Sequence, residues 1–373
     1  MTINKPFFSI GVTTYKRPDL LRQCINSILS QSYSDFEILI GNDDPSTVIT
    51  NENLGITDNR IKIHNHIENL GEVNNMNYLL SKAEGEFFTW LADDDLYEPQ
   101  YLEYIFTIIS GNCNIDCVYT KFRIIRGEKY PLPNKYSLNQ PSFSDGSTFI
   151  HNYLKGKHQI ISVYGMFRKT VLIDMGGVKN LSSAPIGLFG EYLLILSIPL
   201  NSKISYIDIP LVLYRAPEDG GGCWKNSYLS HYKIASTELI IVAACLFSQR
   251  QMKKQFIYNM SAIINLCLTC TLHKWLEDTE RPKIIDVGSF ILQIAVSIRK
   301  ELSNKYCFLV GLLLIRQLII YFVSLNISSG KNSNKLVLII VKTFQFGLKG
   351  LLFFVYRPQV LFWDERDDDQ IKE

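Results

Sequence analysis

The feature that most constrains this 373-residue chain is an alternation in its first 125 residues. Short apolar runs of strand length are separated there by stretches with helical periodicity. Phe7–Thr13 (FFSIGVT) reads as a buried strand. Pro18–Gln31 follows with Leu20, Leu21, Cys24, Ile25, Ile28 and Leu29 at helical spacing. Pro18 suits a first helical turn, where a missing N–H leaves no bond unmade. Phe36–Gly41 (FEILIG), Ile61–Asn65 and Phe87–Ala92 (FFTWLA) repeat the strand signal, and Glu72–Ala83 and Gln100–Ser110 repeat the helical one. This spacing predicts right-handed βαβ units and an α/β domain with a mostly parallel sheet covered on both faces.

Residues 126–220 are less regular and read as a mixed α+β continuation. They hold a strand-like SVYGMFR at 162–168, a helix-like LFGEYLLILSI at 188–198, and strand-like ISYIDI and LVLYR within 204–215. The expected domain over 1–220 therefore divides into halves at 1–125 and 126–220. Past Gly220–Gly222, apolar helical stretches lie near 234–248, 257–272 and 284–298, with stronger ones at Tyr306–Leu325 and Leu336–Tyr356.

Charge follows the same division. Residues 1–220 carry 19 Lys+Arg against 24 Asp+Glu, residues 221–363 carry 17 against 6, and the tail 364–373 carries 2 against 6. Nucleic acid would explain the basic region but not the aliphatic runs inside it, so an anionic membrane surface is the expected partner. Arg316 is costly at the centre of a spanning helix. Lys342, Gln345 and Lys349 share one helical face. Helices lying in the membrane interface are therefore favoured over a true span or a soluble bundle. Nothing near Met1 reads as a secretory signal. Eight unevenly spaced cysteines do not read as a disulfide framework, and a reducing cytosol is expected. Cys267 and Cys270 have no neighbouring His or second pair and read as core residues rather than zinc ligands.

Ligands of an open parallel sheet bind beyond the carboxyl ends of its strands. Here the first strand is followed by Thr14-Tyr15-Lys16-Arg17, the second by Asn42-Asp43-Asp44, and FFTWLA by Asp93-Asp94-Asp95. Adjacent carboxylates raise one another's pKa unless a cation neutralises them, and hard oxygen ligands favour Mg²⁺ or Mn²⁺. A solvated acidic turn would account for the triplet alone; polar groups after three separate strands favour a site. Asp367–Asp369 has no strand before it and reads as a solvated tail.

The stretch SIGVTTYKRPDLLRQCINSILSQSYSDFEILIGNDD, then NLGEVNNMN, then GEFFTWLADDDLYEP resembles the family 2 glycosyltransferases of GT-A fold, over about residues 7–215. The resemblance implies a nucleotide-diphospho-sugar donor, a divalent cation (Mn²⁺ or Mg²⁺) and inversion at the anomeric carbon. It maps Thr14, Tyr15 and Arg17 onto the segment lining the nucleotide pocket, and Asp43 onto the carboxylate that contacts the base. Asp93, Asp94 and Asp95 fall on the DXD element, with Asp94 among the donor contacts, Asp95 as metal ligand and Asp93 facing the ribose or the metal. Tyr164 and Arg168 fall in an acceptor-side segment. Glu191 falls at the general-base position, where a carboxylate takes the proton of the acceptor hydroxyl.

Two departures stand out. The family often places a His shortly after a Tyr-Arg pair, whereas Tyr214-Arg215 runs into Ala216-Pro217-Glu218-Asp219, leaving Glu218 or Asp219 to substitute. The acid pair usual at the base position is here Glu191 alone. The function implied is extension of a lipid-linked oligosaccharide at the cytoplasmic face of a bacterial inner membrane, in synthesis of an O-antigen-like surface polysaccharide. No nucleic-acid partner is expected, and the oligomeric state is open. A sugar nucleotidyltransferase would show a Gly-rich loop after the first strand, which TTYKRP lacks; a non-catalytic membrane scaffold with a decayed transferase domain is the other alternative. The absence of GxGxxG argues against a dinucleotide oxidoreductase.

Overall fold

The computed structural model describes residues 5–126, 134, 136–181, 187–216, 227–278 and 284–328. Glu218, Asp219, the stretch Leu336–Tyr356 and the acidic tail 364–373 lie outside them. The chain forms two compact units, residues 1–242 and 243–373, so the first runs past 220.

The first unit opens with β1 (Phe8–Thr14), α1 (Pro18–Leu29), β2 (Phe36–Asn42), α2 (Asn51–Leu54), β3 (Ile61–Asn65), α3 (Glu72–Lys82) and β4 (Phe87–Ala92). It continues through β5 (Leu96–Tyr97), α4 (Tyr101–Gly111), β6 (Cys117–Ile125), β7 (Ser142–Asp145), α5 (Gly146–Leu154), β8 (Met166–Arg168), α6 (Lys169–Met175), α7 (Gly190–Ser197) and β9 (Lys203–Arg215). The described residues form one nine-stranded sheet in the order β3-β2-β1-β4-β8-β6-β9-β5, with β7 beside β9. Pairing is parallel throughout β3-β2-β1-β4. Beyond β4 it is mixed: β8 runs antiparallel to both its neighbours, and β6 and β9 are parallel. The expected mostly parallel sheet thus holds for the first half, and the second half interleaves directions. The two strand-like runs of 204–215 are one strand, β9.

β1 is buried on both faces, as a central parallel strand must be. Phe8, Ile10 and Val12 join Leu21, Ile25, Ile28 and Ile105 in the main core. On β2, Gly41 lies so close to α3 that a Cβ there would collide with the Asn75 side chain, whose amide donates to the Gly41 carbonyl at 2.9 Å. Asn75 therefore fixes how far α3 stands from the sheet.

α8 (Leu229–Ser248) crosses the division between the units, and the second unit continues with α9 (Phe256–Asp278), α10 (Ile284–Arg299) and α11 (Asn304–Ser328). α9 buries Met260, Ile263, Ile264, Cys267 and Leu268 at helical spacing, α10 buries Val287, Phe290, Ile294 and Ile298, and α11 buries Val310 and Leu314. Cys267 is a core residue, as expected, and Cys270 is partly buried. By length and composition, Leu229–Ser248 and Lys253–Asp278 could cross a bilayer, but 39% and 50% of their apolar windows are buried in the structure, as core helices also are. Ile285, Leu292 and Val296 stay exposed along α10, as do Phe308 and Ile315 on α11.

Candidate functional site at the carboxyl edge of the parallel strands

Strand register brings the three polar segments together. Thr14 is level with Asn42 of β2, and Thr13 is level with Ala92 of β4, so Asp43 and Asp93 leave the sheet on either side of the end of β1. α1 starts three residues beyond the same edge, and a helix N-terminus there favours an anion. Lys16, between β1 and Arg17, has a left-handed backbone at φ 58, rare for a residue with a side chain.

Arg17 reaches Asp93 at 2.5 Å and Asp94 at 2.7 Å, while Thr14 Oγ1 donates to Asp93 Oδ2 at 2.6 Å. Asp93 is fully buried, and burial raises its carboxyl to about 6 against the pull of Arg17. Asp95 is equally buried. The Tyr164 hydroxyl donates to its Oδ2 and the Arg215 backbone N–H to its Oδ1 at 2.7 Å, yet burial and the nearby Asp94 raise it to about 8. Between them Asp94 is 27% exposed and Arg17 44%. Arg215 also donates from Nε to the Asp94 carbonyl (2.9 Å) and from Nη2 to Gln23 (3.0 Å). Arg215 of the Tyr-Arg pair noted in the sequence thus closes over the acidic turn, while Tyr214 packs against Phe122.

Asp43 is buried and accepts N–H groups of Leu70 (2.7 Å) and Gly71 (3.0 Å), while Asn69 donates to its carbonyl at 2.9 Å. This explains the NLGEVNNMN motif physically. Asn69 and Gly71 hold Asp43, Asn75 holds Gly41, and Asn77 exchanges two bonds with the backbone of Val178, at 2.8 and 3.0 Å. Tyr15, 46% exposed, stands at the rim with the Lys16 ammonium over its ring, 4.9 Å from the centroid.

Glu191 is the second residue of α7, which Phe189 enters with a left-handed backbone at φ 56. Among the described residues, Lys16 and Phe189 are the non-glycine residues with positive φ, and each lies within two residues of a candidate side chain. The Glu191 side chain is solvent-accessible yet crowded by protein. That enclosure, with the charge of Glu72, raises its carboxyl to about 7. Glu72 itself feels Arg17 and Asp94, and its charge acts on Glu191, so it lies within electrostatic reach of both groups. Sequence reasoning passed over Glu72 because it looks like an ordinary first-turn acid.

Two residues expected on the acceptor side, Tyr164 and Arg168, are both engaged by the chain itself. Tyr164 lies with Asp95, where it positions that carboxylate and is itself buried. Arg168 is level with Phe87, at the opposite end of β4 from Asp93, roughly 20 Å of strand away. Its guanidinium is committed to Glu86, the Cys113 carbonyl and the Ile115 carbonyl, and lies over the Phe87 ring. Arg168 therefore braces that far edge of the sheet. Among the described residues no three His, Cys, Asp or Glu side chains gather as a complete metal shell. The turn fits a different arrangement, since Mg²⁺-type ions are commonly held by one or two carboxylates plus substrate phosphates. Asp94 is the accessible carboxylate for it. Asp93 and Asp95, expected as the ligands, already have both oxygens engaged by the chain.

Comparison with known proteins agrees with the geometry. Residues 9–176 match the model of Glycosyl transferase family 2. The UDP-Glc:alpha-D-GlcNAc-diphosphoundecaprenol beta-1,3-glucosyltransferase of Escherichia coli is 29% identical over 136 residues, 35% of this chain and 53% of that protein. The GalNAc(5)-diNAcBac-PP-undecaprenol beta-1,3-glucosyltransferase of Campylobacter jejuni is 40% identical over 93 residues, 24% of this chain and 30% of that protein. The chain spans from 15% to 53% of the length of the curated relatives it matches. The crystal structure of S. aureus TarS 1–349 superposes with a TM-score of 0.57 at 17% identity, covering 88% of this chain and 93% of that one, a likeness of fold. Residues 9–176 are thus similar to Glycosyl transferase family 2, on a fold of GT-A-like type.

Proposed function

We propose that the chain is an inverting, cation-dependent glycosyltransferase that moves a sugar from a nucleoside-diphosphate donor to a hydroxyl of a lipid-linked saccharide, in synthesis of an O-antigen-like bacterial surface polysaccharide. The observation that carries this reading is the convergence of Arg17, Asp43 and Asp93–Asp95 on one sheet edge in the same unit as Glu191, an accessible carboxylate raised to about 7. The relatives named for undecaprenol-linked acceptors and, in one case, for UDP-Glc support the substrate class.

In this mechanism Thr14, Tyr15 and Asp43 line the nucleotide pocket. The Asp43 oxygens each accept one N–H and keep a lone pair for a base N–H. Arg17 swings its exposed guanidinium between the acidic turn and the donor diphosphate. When bound at Asp94, a divalent cation supplies charge neutralisation for the departing diphosphate. Asp93 and Asp95 become available only as Arg17 and Tyr164 give way, and otherwise they set the position of Asp94. Glu191 takes the proton of the acceptor hydroxyl as the new bond forms on the opposite face of the sugar. Its raised pKa suits a base working near neutral pH.

The chain would act at the cytoplasmic face of the inner membrane. The basic, apolar region 221–363 and the exposed Ile285, Leu292, Val296, Phe308 and Ile315 support association with an anionic lipid surface. The test is transfer by the full chain from UDP-, GDP- and dTDP-sugars to undecaprenyl-diphosphate-linked saccharides, with Mn²⁺ or with EDTA. Cation-dependent glycosidic product with inverted configuration is expected. Product formed equally in EDTA, or with the donor configuration retained, contradicts the mechanism.

A further inference from the structure

Glu72, the first residue of α3, has no part in the mechanism above. Its position is fixed from three sides. Asp43 holds the N–H groups of Leu70 and Gly71 just before it. Asn77, a turn later, is clamped to Val178 by two hydrogen bonds. Val73 packs against Gly187, where an added Cβ would come within 3.2 Å of its Cγ2. The start of α3 therefore ties the nucleotide rim to the segment that leads into α7. The Glu72 side chain is exposed and makes no hydrogen bond or ion pair among the described residues. The charges of Arg17, Asp94 and Glu191 all lie within its electrostatic reach.

That placement has a chemical consequence. Displacement with inversion needs the anomeric carbon in line between the leaving phosphate oxygen and the incoming hydroxyl. Arg17 and Asp94 mark the phosphate end, and Glu191 marks the hydroxyl end. The pyranose ring being transferred must then lie between them, alongside Glu72. Resting on the transferase reading, we propose that Glu72 is a specificity-determining residue that accepts hydrogen bonds from hydroxyls of the transferred sugar and repels donors whose sugar carries a carboxylate. A carboxylate offers two acceptor oxygens to a pair of hydroxyls, and hydrogen bonds to a charged acceptor are the stronger kind. A uronic acid would meet Glu72, Asp94 and Glu191 with like charge, a repulsion that selects against it.

The experiment compares the full chain with Glu72→Gln and Glu72→Ala on UDP-glucose, UDP-N-acetylglucosamine, GDP-mannose, dTDP-rhamnose and UDP-glucuronic acid. Affinity for the matching nucleoside diphosphate is measured by calorimetry on the same samples. Both variants are expected to lose about 10- to 100-fold in kcat/KM on the preferred neutral donor, the loss of a hydrogen bond to a charged group. The gap between that donor and UDP-glucuronic acid should narrow, and nucleoside diphosphate affinity should not change. Unchanged kcat/KM and donor preference in both variants overturn the assignment, as does UDP-glucuronic acid being the best donor of the unaltered chain. Loss of nucleoside diphosphate binding in both variants makes Glu72 a structural residue and also overturns it. An unaltered chain that transfers from none of these donors overturns the transferase reading and this assignment with it.

Discussion

Two carboxylate sites in the first unit are both pushed toward the neutral form, and they are held in opposite ways. In the acidic turn, Asp93 and Asp95 are buried and held by the chain itself, Asp93 by the Thr14 hydroxyl and the Arg17 ion pair, Asp95 by the Tyr164 hydroxyl and the Arg215 N–H. On α7, Glu191 is reached by solvent, and only enclosure and the charge of Glu72 shift it. A carboxylate saturated by its own chain is part of a scaffold, whereas one raised without partners is available to a substrate. In the proposed mechanism the difference separates residues that shape the site, Asp95 and Tyr164, from those that would face the reactants, Asp94, Arg17 and Glu191.

The largest break in that contrast comes from Glu191→Gln. Loss of general-base help should lower kcat by about 10² to 10⁴-fold, leaving nucleotide affinity intact. Full turnover in this variant would remove Glu191 from the mechanism. Asp94→Asn should cost next most, about 10²-fold in kcat/KM, with a higher Mn²⁺ requirement, because a positioned charge at the leaving group is lost. Asp94→Asn turning over normally at limiting Mn²⁺ would leave the exposed carboxylate without a role.

The pH dependence distinguishes the two sites further. Glu191 must be ionised to act, so kcat/KM should fall about tenfold per unit as pH drops below about 7. Stability without ligand should move the other way. Asp93 and Asp95 have folded pKa values of about 6 and about 8, above those of the unfolded chain, so the folded state holds more protons. Their contribution is complete below about pH 4 and is lost as pH rises through 6 to 8. Thermal melts should therefore fall between pH 5 and 8, and Asp95→Asn should flatten that slope; an identical slope in the variant would contradict the assigned shift. The smallest effect belongs to Arg168→Gln. Freed from the far edge of β4, it should lower stability by about 1–3 kcal/mol and leave acceptor KM unchanged. A raised acceptor KM would restore the role its sequence position suggested.

Much of this was legible in the sequence where local pattern and chemistry coincide. β3 and β4 run over the residues their apolar runs mark, and β1, α1, β2 and α3 differ from expectation by one or two residues at their ends. Asp43 and Asp93 follow strands whose parallel register forces them to one edge. The second half was less legible because its structure depends on long-range pairing. β6, β7, α5 and α6 carry weak periodic signals, and β9 joins two runs that a proline had separated. β8 is three residues long, and its antiparallel pairing with Phe87 is what sends Arg168 away from the site. Which of three adjacent aspartates is exposed depends on Tyr164 and Arg215, 69 and 120 residues away, and no local pattern carries that.

Calorimetric titration of UDP and GDP into the full chain and into Asp94→Asn, with Mn²⁺ and then with EDTA, tests most directly whether this sheet edge grips a cation and a diphosphate together. The account predicts nucleotide binding that strengthens with Mn²⁺, and a gain largely lost both in EDTA and in the Asp94→Asn chain. Binding equally tight in all of these conditions, or absent even with Mn²⁺, would contradict it.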